Sequence, residues 1–139
     1  MTTTRSTKMT VPNMPQIHAR LGEVLLMATD SGAEGSRGYL AEALKRFSRS
    51  IELCDDYLRG YYGLKRTTDK ILSEEKPSKD RAEDDFSLPD RKVVEKLNAV
   101  ATDKLGEIVR RHAGGETGWQ GYNADEITAA RALLQKTSA

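Results

Sequence analysis

The chain has 139 residues, a formal net charge of +1, 37% hydrophobic and 31% charged residues, and a single cysteine. That length fits one domain or a fragment of a larger one, and the near-neutral charge gives no overall field for nucleic acid or an anionic membrane. One cysteine excludes an internal disulfide and favours a reducing compartment, and no apolar run approaches the ~20 residues a spanning helix needs.

Residues 1–14 are polar, with Arg5 and Lys8 and no acid. They lack the apolar centre of a signal peptide and the amphipathicity of a presequence, so they read as a disordered tail. A first helix is expected from about Pro15 to Ala28, with Ile17, Leu21, Val24, Leu25 and Ala28 at helical spacing. The stretch Asp30 to Gly38 holds three glycines and no large apolar residue, and reads as an enlarged turn. A second helix runs from about Ser36 to Cys54. Leu40, Ala43, Leu44, Phe47, Ile51 and Cys54 form its apolar stripe, with Glu42, Lys45, Arg46, Arg49 and Glu52 opposite. Asp55-Asp56 offers a turn, and a third helix follows from about Tyr57 to Leu72.

Ser73 to Asp85 contains Pro77, six acids and three bases, and reads as a solvated linker. Ser87, Pro89 and Asp90 mark the start of a fourth helix, which continues to about His112. Arg110, Arg111 and His112 complement its C-terminal dipole, and Gly114-Gly115 stops it. A short loop then holds Trp119 and Tyr122. Asn123 with Glu126 three residues on has the spacing of a capping box and opens the last helix. The expected fold is all-α with about five helices. The expected divisions are a tail (1–14), helical repeats (15–72), a charged linker (73–86) and a C-terminal helical hairpin (87–139).

The order of small and large residues narrows the architecture. Leu21-Gly22 and Leu25 are followed by Ala43, Phe47 and Ser50, then by Tyr61 and Leu64. Gly22 and Ala43 permit close helix approach, and Phe47 and Tyr61 fill the space around them. This resembles a tetratricopeptide repeat, a helix–turn–helix unit of roughly 34 residues. The resemblance implies a tetratricopeptide-like helical-hairpin solenoid that binds proteins.

Catalytic chemistry is not expected. The Gly115, Gly118, Gly121 run has no Lys-Ser/Thr after it and is no phosphate loop. His18 and His112 have no partners at metal spacing, so neither metal nor cofactor is predicted. Cys54 ends an apolar stripe and reads as a small core residue. The candidate protein-binding residues are Arg59, Tyr62 and Arg66, which recur on one face of the third helix, and Trp119 in its glycine-rich loop. Arg, Tyr and Trp are enriched at interface hot spots.

A more specific resemblance rests on Ile17 to Leu26, Tyr39 to Leu53 and the run Leu58-Arg59-Gly60-Tyr61-Tyr62-Gly63-Leu64. These stretches are similar to the C-terminal repeats of subunit 2 of the endoplasmic reticulum membrane protein complex, and most similar to its fungal forms. The resemblance implies a non-catalytic scaffold at the cytoplasmic face of the endoplasmic reticulum that supports insertion of transmembrane segments. Its implied partners are the other subunits of that complex, with no nucleic acid and no membrane span of its own. The family has further repeats before this region. An opened stack would expose apolar residues of helix one such as Val24 and Leu26. The alternative is a co-chaperone-like repeat module that binds peptide tails. A helical RNA-binding repeat would need a basic stripe, which the interspersed Glu and Asp argue against.

Overall fold

The computed structural model describes residues 14–30, 36–73 and 89–138. Residues 1–13 of the expected tail, the centre of the glycine-rich turn, nearly all of the charged linker and Ser87 lie outside the described residues. Among the described residues five helices follow one another: α1 (Pro15–Asp30), α2 (Ser36–Leu53), α3 (Leu58–Ser73), α4 (Arg91–Ala113) and α5 (Ala124–Ser138). No strand occurs among the described residues.

The helix ends follow local chemistry. The Tyr57 carbonyl accepts the Gly60 and Tyr61 N–H groups at 3.1 and 3.2 Å and so opens α3. Asp90, not Ser87, is the N-cap of α4. Its backbone is extended (φ −61°, ψ 153°), its carbonyl accepts the Val93 N–H at 2.9 Å, and its side chain makes no cap bond. The first helical residue therefore comes after Pro89 rather than including it. Asn123 caps α5, its Oδ1 accepting the Asp125 and Glu126 N–H groups at 2.7 and 3.2 Å.

Each helix packs on the next, and the odd helices also touch, α1 on α3 and α3 on α5. α2 and α4 make no comparable contact. Between them a cleft of about 890 Å³ opens, bordered by Leu44, Arg49, Pro89 and Leu97. Stacking of odd helices with a gap between even ones bends the array towards the odd layer. The result is a tetratricopeptide-like all-α solenoid whose inner surface is made by α1, α3 and α5. Within it, α3 packs at least as closely on α4 as on α2. The stretch after residue 87 thus folds back onto the third helix as well as forming its own α4–α5 pair.

The joint between successive hairpins is one aromatic ring. Phe47 of α2 is completely buried. A Cβ on Gly22 of α1 would lie 2.8 Å from that ring, and one on Gly63 of α3 would overlap it. Glycine at these two places admits a bulky wedge between three helices. Ala19, Leu26, Leu40, Ala43, Leu44, Leu64 and, from α4, Ala101 complete this cluster, and a second one joins Leu58, Leu105, Ile108, Ile127 and Ala130. Tyr61 packs against both, bridging the joints rather than filling the first alone.

Helix α1 differs from its sequence reading. Its buried face is Ala19, Gly22, Leu26 and Thr29, whereas Leu21 and Val24 are exposed. Leu26 is buried in the first cluster, and only Val24 of the two expected exposures is open. The periodicity of α1 is ambiguous because it carries two apolar faces, and only one meets the body of the stack. Cys54 is half-buried, its thiol 3.8 Å from the Asp55 carbonyl, rather than a core residue, because it lies past the last turn of α2.

Candidate functional site

On the inner surface an ion pair crosses from α3 to α1. Arg59 on α3 reaches Glu23 on α1 through two bonds, Nη2 to Oε1 at 2.7 Å and Nε to Oε2 at 3.2 Å. This fork matches the planar carboxylate and raises the guanidinium pKa, chiefly through that hydrogen bond. Arg59 is therefore committed to clasping one hairpin to the next. Nearby, the Tyr57 hydroxyl is buried with no hydrogen-bond partner among the described residues. Burial is the main cause of its raised pKa.

Tyr62 packs against the second cluster and is half-buried. Arg66 is exposed one turn further along α3. It borders a cleft of about 570 Å³ with Asp69, Lys70, Leu133 and Lys136. Three cations and one acid thus line the cleft where the ends of α3 and α5 meet. Trp119 also packs on the second cluster. The Arg111 guanidinium lies 5.1 Å from its ring centroid, and Tyr122 stands 6.5 Å away at 30°. The Tyr122 hydroxyl donates to the Asp56 carbonyl at 2.7 Å. These contacts tie the α4–α5 loop to the α2–α3 turn. The three α3 residues do share one side of their helix, but only Arg66 presents an exposed head group.

Two constellations were not foreseen. Lys65 is completely buried between α3 and α4. Its ammonium donates to Asp69 Oδ1 at 3.3 Å and to Asn98 Oδ1 at 3.5 Å. Asn98 Nδ2 in turn donates to Asp69 at 2.7 Å and to Thr68 Oγ1 at 2.8 Å. The available signal was that Leu58, Tyr61, Lys65, Thr68 and Leu72 form one helical stripe, so a lysine occupies a core position. The second is Lys104, which donates to Asp56 at 2.7 Å and Glu107 at 3.0 Å. Those bonds push the lysine pKa well above its usual value and hold Glu107 below the usual glutamate range. Asp56 adopts a left-handed backbone (φ 58°), which an acidic residue in a tight turn tolerates. No group of three potential metal ligands occurs among the described residues. No helix among them is long and apolar enough to cross a membrane.

The fold and this inner surface define a tetratricopeptide-like all-α helical array. The chain is similar to the TPR repeat protein oca3 of Schizosaccharomyces pombe (strain 972 / ATCC 24843), with 30% identity over 61 residues. The matched region covers 44% of this chain and 20% of that protein, so the chain spans about a fifth of the relative's length. No protein-family model matches the chain, and no solved structure matches it.

Proposed function

We propose that this chain is a non-catalytic protein–protein scaffold whose inner surface, formed by α1, α3 and α5, holds segments of other proteins. The observation that supports this most is the continuous contact of the odd helices, which makes one bent face from three helices. The likeness to a tetratricopeptide-repeat protein points the same way. The finer assignment follows from the resemblance to subunit 2 of the endoplasmic reticulum membrane protein complex. On that basis the chain works at the cytoplasmic face of the endoplasmic reticulum, without a span of its own. It orders the other subunits of the complex and supports insertion of transmembrane segments. Holding several partners on one frame raises their effective concentration without any covalent step.

The test is isolation of the tagged chain from membranes dissolved in mild detergent, with partners identified by mass spectrometry. Co-recovery of the other subunits is expected. Recovery of chaperones, or of nothing specific, refutes the assignment. One observation favours a second reading, a co-chaperone-like module for peptide tails: Arg66, Lys70 and Lys136 around the cleft between α3 and α5. Binding of acidic C-terminal peptides that weakens on amidation of the terminus would favour it instead.

A further inference from the structure

Burial alone does not account for how α4 sits on α3. Lys65 is completely buried in the contact, whereas Val93 and Val100 of α4 stand 44 and 51% exposed. The buried residues of α4 are Val94, Ala101, Leu105 and Ile108, with Leu97 half-buried against the first cluster. Val93 and Val100 each lie one position before a buried residue. The helix therefore carries two apolar stripes that share Leu97, and a rotation by one residue, about 100°, exchanges them.

The two halves of α4 favour different rotations. In the C-terminal half the exchange would bring Lys104 and Glu107 inwards for Leu105 and Ile108, so burial selects the observed face. In the N-terminal half it would bring in Val93 for Val94 and Val100 for Ala101. The first swap is neutral and the second buries a larger side chain, so burial there opposes the observed face. Asn98 separates the two rotations in that half. Its amide donates to Asp69 at 2.7 Å and to Thr68 at 2.8 Å, and accepts from Lys65 at 3.5 Å. After the exchange Leu97 would stand in its place. The buried Lys65 ammonium and the Asp69 carboxylate would then lose a polar partner and face an apolar side chain.

We infer that the Lys65–Asp69–Asn98 network is a conformational selector that holds α4 in one rotation against its competing stripe. Its role is to exclude the wrong packing, not to add stability. Buried polar groups serve in this way where a fixed register outweighs the cost of desolvation. The register matters here because α4 carries α5, whose Leu133 and Lys136 border the inner cleft with Arg66. Turning α4 would displace that wall of the inner surface.

The test uses the full chain with Cys54→Ser and one new thiol, Val94→Cys, at a completely buried position. The rate at which this thiol reacts with a soluble disulfide reagent reads how often the N-terminal half of α4 turns away. Lys65→Met with Asn98→Ala removes the network without enlarging the observed stripe by more than a methyl group. The thermal midpoint should stay within about 4 °C of the parent's. The rotated form should rise to about 1–10% of chains, and labelling should accelerate at least ~10-fold. Adding Val93→Gln and Val100→Gln, at positions outside the core, should return labelling to the parent rate. An unchanged rate overturns the inference, as does an acceleration that the two glutamines do not reverse. So does an acceleration matched by a fall in the midpoint, which would make the network an ordinary source of stability. If the double variant unfolds, Asn98→Ala alone, which leaves Lys65 with Asp69, is read in the same way. These readouts need no partner, so they stand apart from the scaffold reading.

Discussion

Replacing glycine by alanine inside a helix tests the Phe47 joint with its own internal control. Alanine gains about 1 kcal/mol over glycine from helix propensity alone. At Gly106 in α4 a new Cβ meets nothing within 4 Å, so Gly106→Ala should stabilise the chain by about 0.5–1 kcal/mol. At Gly63 the same Cβ overlaps the Phe47 ring. That ring is completely buried and wedged against Gly22 on its other side, so it has nowhere to retreat. Overpacking of this kind costs about 1–3 kcal/mol, and at a site this tight the upper part of that range outweighs the propensity gain. Gly63→Ala should therefore destabilise by about 1–2 kcal/mol net. Urea unfolding followed by circular dichroism reads both changes as shifts in midpoint at constant slope. Phe47→Leu should remove part of the Gly63→Ala penalty, giving a coupling above about 0.5 kcal/mol in the double-mutant cycle. If Gly63→Ala stabilises as much as Gly106→Ala, or the cycle shows no coupling, the aromatic wedge does not set the helix spacing.

Asp69→Ala leaves the Lys65 ammonium buried against Asn98 alone and should cost about 2 kcal/mol, whereas Lys65→Met should fall within about 1 kcal/mol of wild type. Thermal melts distinguish them, and equal losses would mean that the lysine is valued for its own bonds. The Glu23–Arg59 pair has side chains 34 and 30% exposed, so a double-mutant cycle should give only about 0.5–1 kcal/mol, shrinking as salt is added. Burial raises the pKa of Tyr57, Tyr61 and Tyr122, and hydrogen bonds raise that of Lys104. In each case the folded chain holds its proton more tightly than the unfolded one. Their contribution is full below about pH 10 and is lost as pH rises through the raised values. An unfolding midpoint that improves above pH 10 would contradict this. Glu107, held low by Lys104 and Arg111, acts on the other side: its contribution exists above about pH 4.3 and is lost as pH falls.

Five helices and their approximate ends could be read from the sequence because the signals were local. Asn123, Gly114-Gly115 and the stripe of α2 each act within a few residues. The role of Gly22 was legible because a glycine beside a leucine at helical spacing implies close approach. Gly63 was not, since its partner Phe47 lies 16 residues away on another helix. The face of α1 was misread because two apolar stripes satisfy the same period, and only tertiary packing chooses between them. Arg59 looked like a groove contact because its partner Glu23 is 36 residues distant and no local rule links them. Lys65 was invisible as a core residue because a lysine on an apolar stripe normally extends its head group to water. Here Asp69 and Asn98 supply that solvation instead.

The central claim is that the inner face of the stack holds subunits of the endoplasmic reticulum membrane protein complex. Site-specific photocrosslinking tests it directly. A photoreactive residue in place of Arg66 samples the inner surface, and one in place of Arg49 samples the exposed side of α2. The account predicts that the tagged chain in native membranes crosslinks to other subunits of the complex from position 66 and not from position 49. Crosslinks to those subunits from position 49 alone, or crosslinks from position 66 only to chaperones, would contradict it.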